Sequence, residues 1–236
     1  MSTYMTFVLA VLPALLLMVY VYRKDVKEKE PGYLLWKLLR AGVFAALLAM
    51  VTEIATDYLV AGLFDQFETY STAIFGLTEA LTVALAEEFW KKFFMKRATW
   101  KDPAFDYLFD GIVYGVFTSL SFAALENVLY AFGYGGIEIL ITRGMLSIPG
   151  HMCFGVYMGI FYARARVCHE AGHGVGEYFN NLAAFLLPVT LHTVYDGMLM
   201  GGGDDIMLYF YGFVIVLDIV TWILIRHEAK NDLRIR

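Results

Sequence analysis

Seven apolar segments divide this chain, each long enough to cross a bilayer as a helix, and no other feature constrains its fold so strongly. A helical span needs about 20 mostly apolar residues. The segments run at about 4–22, 41–63, 73–95, 107–132, 144–163, 181–200 and 205–225, with ends soft by a few residues. None alternates apolar and polar residues as a barrel strand does, so each reads as a helix. The fifth is the least regular, because Pro149-Gly150 interrupts it. Of the residues 59% are apolar and 17% charged, against about 45–50% and about 25% in an ordinary soluble domain. That excludes a disordered chain, a collagen-like or coiled-coil rod and a soluble enzyme. The expected fold class is all-α, a polytopic membrane bundle of about seven transmembrane helices. Residues 1–236 form a single integral membrane domain, with no room for a separate soluble one.

Lysine and arginine orient the bundle, because cytoplasmic loops carry them in excess. Seventeen of the 18 fall after spans one, three, five and seven, on alternate sides of a seven-span path. The opposite loops, Asp65 to Ser71, Gly133 to Gly136 and Gly201 to Asp205, have none. The N-terminus is therefore expected outside and the C-terminus in the cytoplasm. Trp36, Trp100 and Trp222 lie near the basic face, as interface anchors do. The first segment lacks a basic start and a small-residue cleavage site, so it reads as a retained span. A net charge of −5 argues against nucleic acid as a partner. Cys153 and Cys168 cannot make a disulfide scaffold. Gly111/Gly115 and Gly155/Gly159 are small-xxx-small pairs, expected to pack helices closely within one bundle.

The informative residues are ionisable groups inside spans, each costly unless it meets a partner or a wet cavity. Span three carries Glu87, Glu88 and Lys91, spaced so that both acids reach the lysine. Span four carries Asp110 and Glu126-Asn127, and span five Arg143 and His151. Span six carries His192 and Asp196, four apart on one face. At about 1.5 Å rise per residue, Glu87 lies roughly 14 Å in from Lys96, His151 roughly 20 Å from Arg164 and His192 roughly 17 Å from Asn181. Three helices thus bring these groups to similar depth. Glu126, roughly 24 Å from Asp110, lies nearer the outer face, at the rim of a site or paired with Arg143. Pro149 and Pro188 precede the two histidines, so irregular backbone and a hydrated cavity are expected beside them. Asp110, Glu79, Glu53 and Asp218 read as structural or interfacial, and Glu88 with Lys92 as a possible interfacial pair.

His169-Glu170-Ala171-Gly172-His173 spells HExxH, which on a helix binds zinc through two imidazoles with the glutamate as base. Here it falls in a short cytoplasmic loop with Gly172, Gly174 and Gly176. Only Glu177 stands near as a third ligand, so a solvated loop is expected. Zinc could alternatively use Glu87, Glu88, His151 and His192, whose oxygen and nitrogen donors suit it. No cofactor is favoured.

The strings EEFWKK (87–92), FDGIVYGVFTSLSFAALENVLY (109–130), Arg143 with His151, and LHTVYDG (191–197) resemble the PrsW-type intramembrane proteases. The CPBP group, with the CAAX prenyl endopeptidases, is more distantly similar. The resemblance covers about 75–200, the protease-like core. It implies a glutamate-dependent peptidase that cuts membrane-anchored proteins, with an anti-sigma factor as substrate, in a bacterial cell membrane. Carried over by position, Glu87 and Glu88 match the paired glutamates and Lys91 the basic residue after them. Glu126 and Asn127 match the glutamate-asparagine pair, His151 and His192 the two histidines, and Asp196 the Asp/Asn four beyond. Position 147 is Ser where the CPBP pattern has Phe, and Asp196 stands where Asn is common, which argues against prenyl-protein processing.

Peptide hydrolysis needs an activated water, a stabilised oxyanion and a proton for the leaving amine. The expected roles are Glu87 as general base helped by His151, Glu88 and Lys91 tuning its charge, and His192 donating to the oxyanion. Asp196 donates only if protonated, which argues against an oxyanion role for it. Two other classes compete. A proton- or metal-coupled transporter also uses buried Glu and His chains, but no inverted repeat is apparent. A noncatalytic scaffold would recruit helices through the glycine pairs.

Overall fold

A computed structural model describes residues 2–67, 69–133, 136–201 and 204–235. Arg236, one of the orienting basic residues, lies outside these, as do 68, 134–135 and 202–203 of the outer loops. Eight α-helices follow one another: α1 (Thr3–Lys24), α2 (Gly32–Phe64), α3 (Thr72–Thr99), α4 (Leu108–Gly133), α5 (Ile137–Met145), α6 (Ser147–Glu170), α7 (Gly174–Met200) and α8 (Met207–Lys230). Six segments, α5–α6 together counting as one, are long and apolar enough to cross a membrane. The remaining long helix, α3, has 28 residues, about 42 Å at the usual rise. Its interior charges, and not its length, keep it out of that set.

The helix ends gather into two faces. At the basic face Asp102 accepts from Tyr33 Oη at 2.7 Å and pairs with Lys37, and Arg166 donates to the Trp100 carbonyl at 2.8 Å. Asp232 caps the start of α4 by accepting from Phe109 N at 2.9 Å. At the other face Phe64 packs edge-on to Phe75, with ring centroids 5.1 Å apart.

α4 is the central helix, with every residue from Phe109 to Ala123 buried. A helix apolar on all sides is stable only when surrounded. It meets α6 most closely, and there the glycine pairs act as expected. A Cβ at Gly115 would stand 2.1 Å from the Gly155 carbonyl oxygen, and one at Gly159 2.2 Å from that of Gly111. Only glycine lets the two backbones touch.

The break in the fifth span falls at Leu146, between α5 and α6, and not at Pro149-Gly150. Pro149 sits in the first turn of α6, where its missing N–H has no helical acceptor to lose. Pro188 lies within an unbroken α7. The irregular backbone expected beside the histidines is thus absent among the described residues, and the polar groups find their space elsewhere.

Candidate active site

Five helices bring their charges to one place in the bundle interior. On α3, one helical turn sets Lys91 below Glu87 and Glu88, and its Nζ donates to Glu87 Oε2 and Glu88 Oε1, each at 2.8 Å. The same Nζ lies 3.1 Å from His151 Nδ1 on α6 and 4.0 Å over the Phe122 ring of α4. Lys91 and Glu88 are fully enclosed, at 0% exposure. An ammonium this deep persists only with such partners.

Each histidine is held at both nitrogens. His151 Nε2 lies 3.1 Å from Glu126 Oε2, which Arg143 of α5 also pairs at 2.8 Å. The ammonium can only donate to His151 Nδ1, so Nε2 carries the proton and donates to Glu126. That leaves no free nitrogen on His151 to take a proton from water, which counts against the helper role expected for it. His192 of α7 lies 3.1 Å from Glu88 Oε1 through Nδ1 and 3.1 Å from Asp196 Oδ2 through Nε2. An imidazolium satisfies both acceptors at once. Phe154 stacks on the His192 ring with centroids 4.7 Å apart, and the two imidazoles stand 5.5 Å apart. Asn127 donates to the Ala10 carbonyl at 2.8 Å and accepts from Arg143 Nε at 3.2 Å, so it ties α1 and α5 to the site without facing it.

A cavity of about 460 Å³ opens along these groups. Glu87, Glu126, His151, His192 and Asp196 line it, whereas Glu88 and Lys91 lie behind its wall. Of the two adjacent acids, then, Glu87 alone meets the space where water and substrate fit. The cavity continues past Glu53 and Asp57 of α2 and Glu79 of α3 to Met200 and Met207, near the ends of α7 and α8 opposite the basic face. Glu126 is both rim and ion pair, the two places the sequence left open for it. Glu53 and Glu79, read from sequence as structural or interfacial, line the cavity. Glu88 does not pair with Lys92, which instead donates to the Asn181 carbonyl.

Glu87, Glu88 and His192 each offer a donor atom, all within 4.8 Å of one another. Glutamate oxygen and imidazole nitrogen suit zinc in type. They do not fit a resident ion in arrangement. An ion about 2.1 Å from the glutamate oxygens would lie within about 5 Å of the Lys91 ammonium, a repulsion of about 7 kcal/mol at an effective dielectric of about 20. The HExxH string lies far along α6. That helix ends at Glu170, and Gly172 turns the chain with φ +70 before α7. Glu170 pairs with Arg166 at 2.7 Å and His169 Nδ1 lies 2.9 Å from Glu177, while His173 stands exposed at the start of α7. The motif is split between two helices, so its imidazoles do not share a helical face.

A sequence model described as PrsW family intramembrane metalloprotease matches residues 30–223. A protein named Protease PrsW from Oceanobacillus iheyensis is 32% identical over 222 residues, covering 93% of this chain and 92% of its own. Its namesakes from Clostridioides difficile and Bacillus subtilis are 32% and 29% identical, covering 82% and 79% of this chain and 79% of their own in each case. No solved structure matches.

Proposed function

The chain belongs to the PrsW family of intramembrane proteases, and from that premise we propose a peptidase in which the Glu87 carboxylate activates the hydrolytic water with no resident metal. One observation carries this reading. Glu87 is the member of the acid pair that lines the cavity, and the Lys91 ammonium anchors it from behind. A base held this way keeps its orientation while its outer side faces water.

In the first step a water in the cavity gives a proton to Glu87 as its oxygen bonds to the scissile carbonyl carbon. The carbonyl electron pair moves onto oxygen. The positive charge on His192 faces this oxyanion across the cavity and stabilises it, most strongly where bulk water is excluded. In the second step protonated Glu87 gives its proton to the amide nitrogen, the C–N bond breaks and the carboxyl product forms. Glu88 acts through His192 and Lys91 as a positioning residue. His151, with both nitrogens engaged, orients Lys91 and Glu126. The ammonium balances the charge of the two carboxylates.

The substrate proposed is a membrane-anchored protein, an anti-sigma factor by family resemblance, in a bacterial cytoplasmic membrane. The reach of the cavity towards the outer helix ends supports cleavage in the outer half of the bilayer. The test reconstitutes the protein with a single-span anti-sigma factor and follows the cut fragment. Glu87→Gln keeps the shape and removes the base. It is expected to slow cleavage at least about 100-fold with an unchanged melting profile. Turnover near the native rate in that variant would overturn the assignment.

A further inference from the structure

A second hollow lies away from the paired glutamates. A groove of about 700 Å³ runs between α3 and α7 at the basic face. Lys92, Lys96, Arg97 and Lys101 line its outer end, and Phe89, Phe93 and Phe185 its deeper end. Steps of four along α3 put Lys92 and Lys96, and Phe89 and Phe93, in rows on neighbouring faces, and Lys101 follows in the turn beyond the helix. The groove is thus polar at the membrane surface and aromatic within.

The charges in it stand together on one hollow. Elsewhere on this face Lys37 pairs with Asp102, Arg164 with Glu228, Arg166 with Glu170 and Arg234 with Asp106. Among the described residues, none of the four groove cations has an acidic partner. Lys92 donates to the Asn181 carbonyl, and Lys96 lies 4.9 Å over the Trp100 ring. Four cations converge on one hollow with their charge unanswered.

We propose that this groove binds one anionic phospholipid of the cytoplasmic leaflet, its phosphate among Lys96, Arg97 and Lys101 and an acyl chain along Phe89, Phe93 and Phe185. The dimensions agree. From Phe89 to Arg97 is about 12 Å along α3, with Lys101 in the turn beyond, and one leaflet of hydrocarbon is about 15 Å deep. A chain laid on the aromatic end therefore puts its phosphate among the cations. Basic pockets between helices on this side of a membrane meet anionic headgroups directly. The groove is also built from α3 and α7, the helices that carry Glu87, Glu88 and His192. A lipid seated there bridges the two and steadies their spacing. This inference does not depend on the peptidase chemistry.

The test uses the full-length protein in phosphatidylcholine vesicles and brominated phosphatidylglycerol, which quenches nearby tryptophan. Saturable quenching above that from brominated phosphatidylcholine is expected, and Trp90→Phe with Trp100→Phe should remove it. The triple variant Lys96→Gln, Arg97→Gln, Lys101→Gln should weaken it on the order of 100-fold, about fivefold per charge. Arg23→Gln, Lys24→Gln, Arg226→Gln, on the same face outside the groove, should leave it unchanged. Should the groove triple fail to fold, exposed Arg97→Glu alone is expected to weaken binding at least about tenfold. Equal loss in both triples would overturn the proposal in favour of general surface attraction. Displacement by inorganic phosphate would overturn it for a free-phosphate site, and displacement by an acidic peptide for a protein-docking site. Absence of saturable quenching, or an unaffected Arg97→Glu, would also refute it.

Discussion

Lys91→Met removes the one ammonium that holds both acids of the site, and the structure sets the size of the consequence. Glu87 Oε2 and Glu88 Oε1 each lie 2.8 Å from Nζ. Without the cation two carboxylate oxygens no more than about 6 Å apart face each other, a repulsion of about 3 kcal/mol at an effective dielectric of about 20. Removing one partner of a buried ion pair costs about 3–5 kcal/mol by measurement on other proteins. The two figures agree. For a chain of this size each kcal/mol moves the melting temperature about 3 °C, so a fall of about 10 °C is expected. The assay is thermal unfolding in neutral detergent followed by tryptophan fluorescence, with cleavage measured on the same preparations. Cleavage should fall to the level of Glu87→Gln, and Lys91→Arg should recover part of the stability by restoring a charge. A Lys91→Met protein that melts within about 1 °C of the native one and cleaves normally would refute the reasoning, because a dispensable cation cannot be organising the site.

Gly115→Leu should abolish folded yield, since its Cβ alone would stand 2.1 Å from the Gly155 carbonyl oxygen, whereas Gly62→Leu, with nothing within 4 Å of its Cβ, should be silent; the recovery of monodisperse protein after extraction measures both. His169→Ala and His173→Ala should leave cleavage unchanged in the reconstituted assay, because the HExxH string is split between α6 and α7. Glu30, in the loop between α1 and α2, is pushed up to about 7, chiefly by burial and further by the charges of Asp25 and Asp102, against hydrogen bonds from Tyr114 and Asp110. The folded state therefore holds this proton more tightly than the unfolded one, so stability is complete at low pH and is lost as pH rises towards 7. Melting temperature should fall between about pH 4.5 and 7 and level off above, and Glu30→Gln should flatten that fall; a native profile without slope would contradict it.

The spans were legible because a run of some 20 apolar residues is a local signal, read without knowing any neighbour. The glycine pairs were legible for the same reason: Gly111/Gly115 and Gly155/Gly159 mark backbone approach through spacing alone. The rise per residue put Glu87, His151 and His192 at one depth, and the structure brings them together. It could not say which atoms meet. The position of Lys91 between Glu87, Glu88 and His151 depends on how α3 turns against α6, and this also denied His151 its expected role. The break at Leu146 was hidden because Pro149 marks a point three residues further on, a first-turn position that tolerates proline. Glu53 and Glu79 became cavity residues only through the packing of α2 and α3 beside α7, for which a single sequence carries no sign. The space around the histidines likewise lies beside an unbroken α7 and not beside proline-broken backbone.

The central claim is that an internal ammonium, and not a bound ion, completes the chemistry of the Glu87 site. The most direct measurement is single-turnover cleavage by reconstituted protein stripped of metals by chelation, with zinc content counted in the same sample. The account expects the native rate at a zinc content well below one per chain. A rate that vanishes on stripping and returns with one zinc per chain would contradict it.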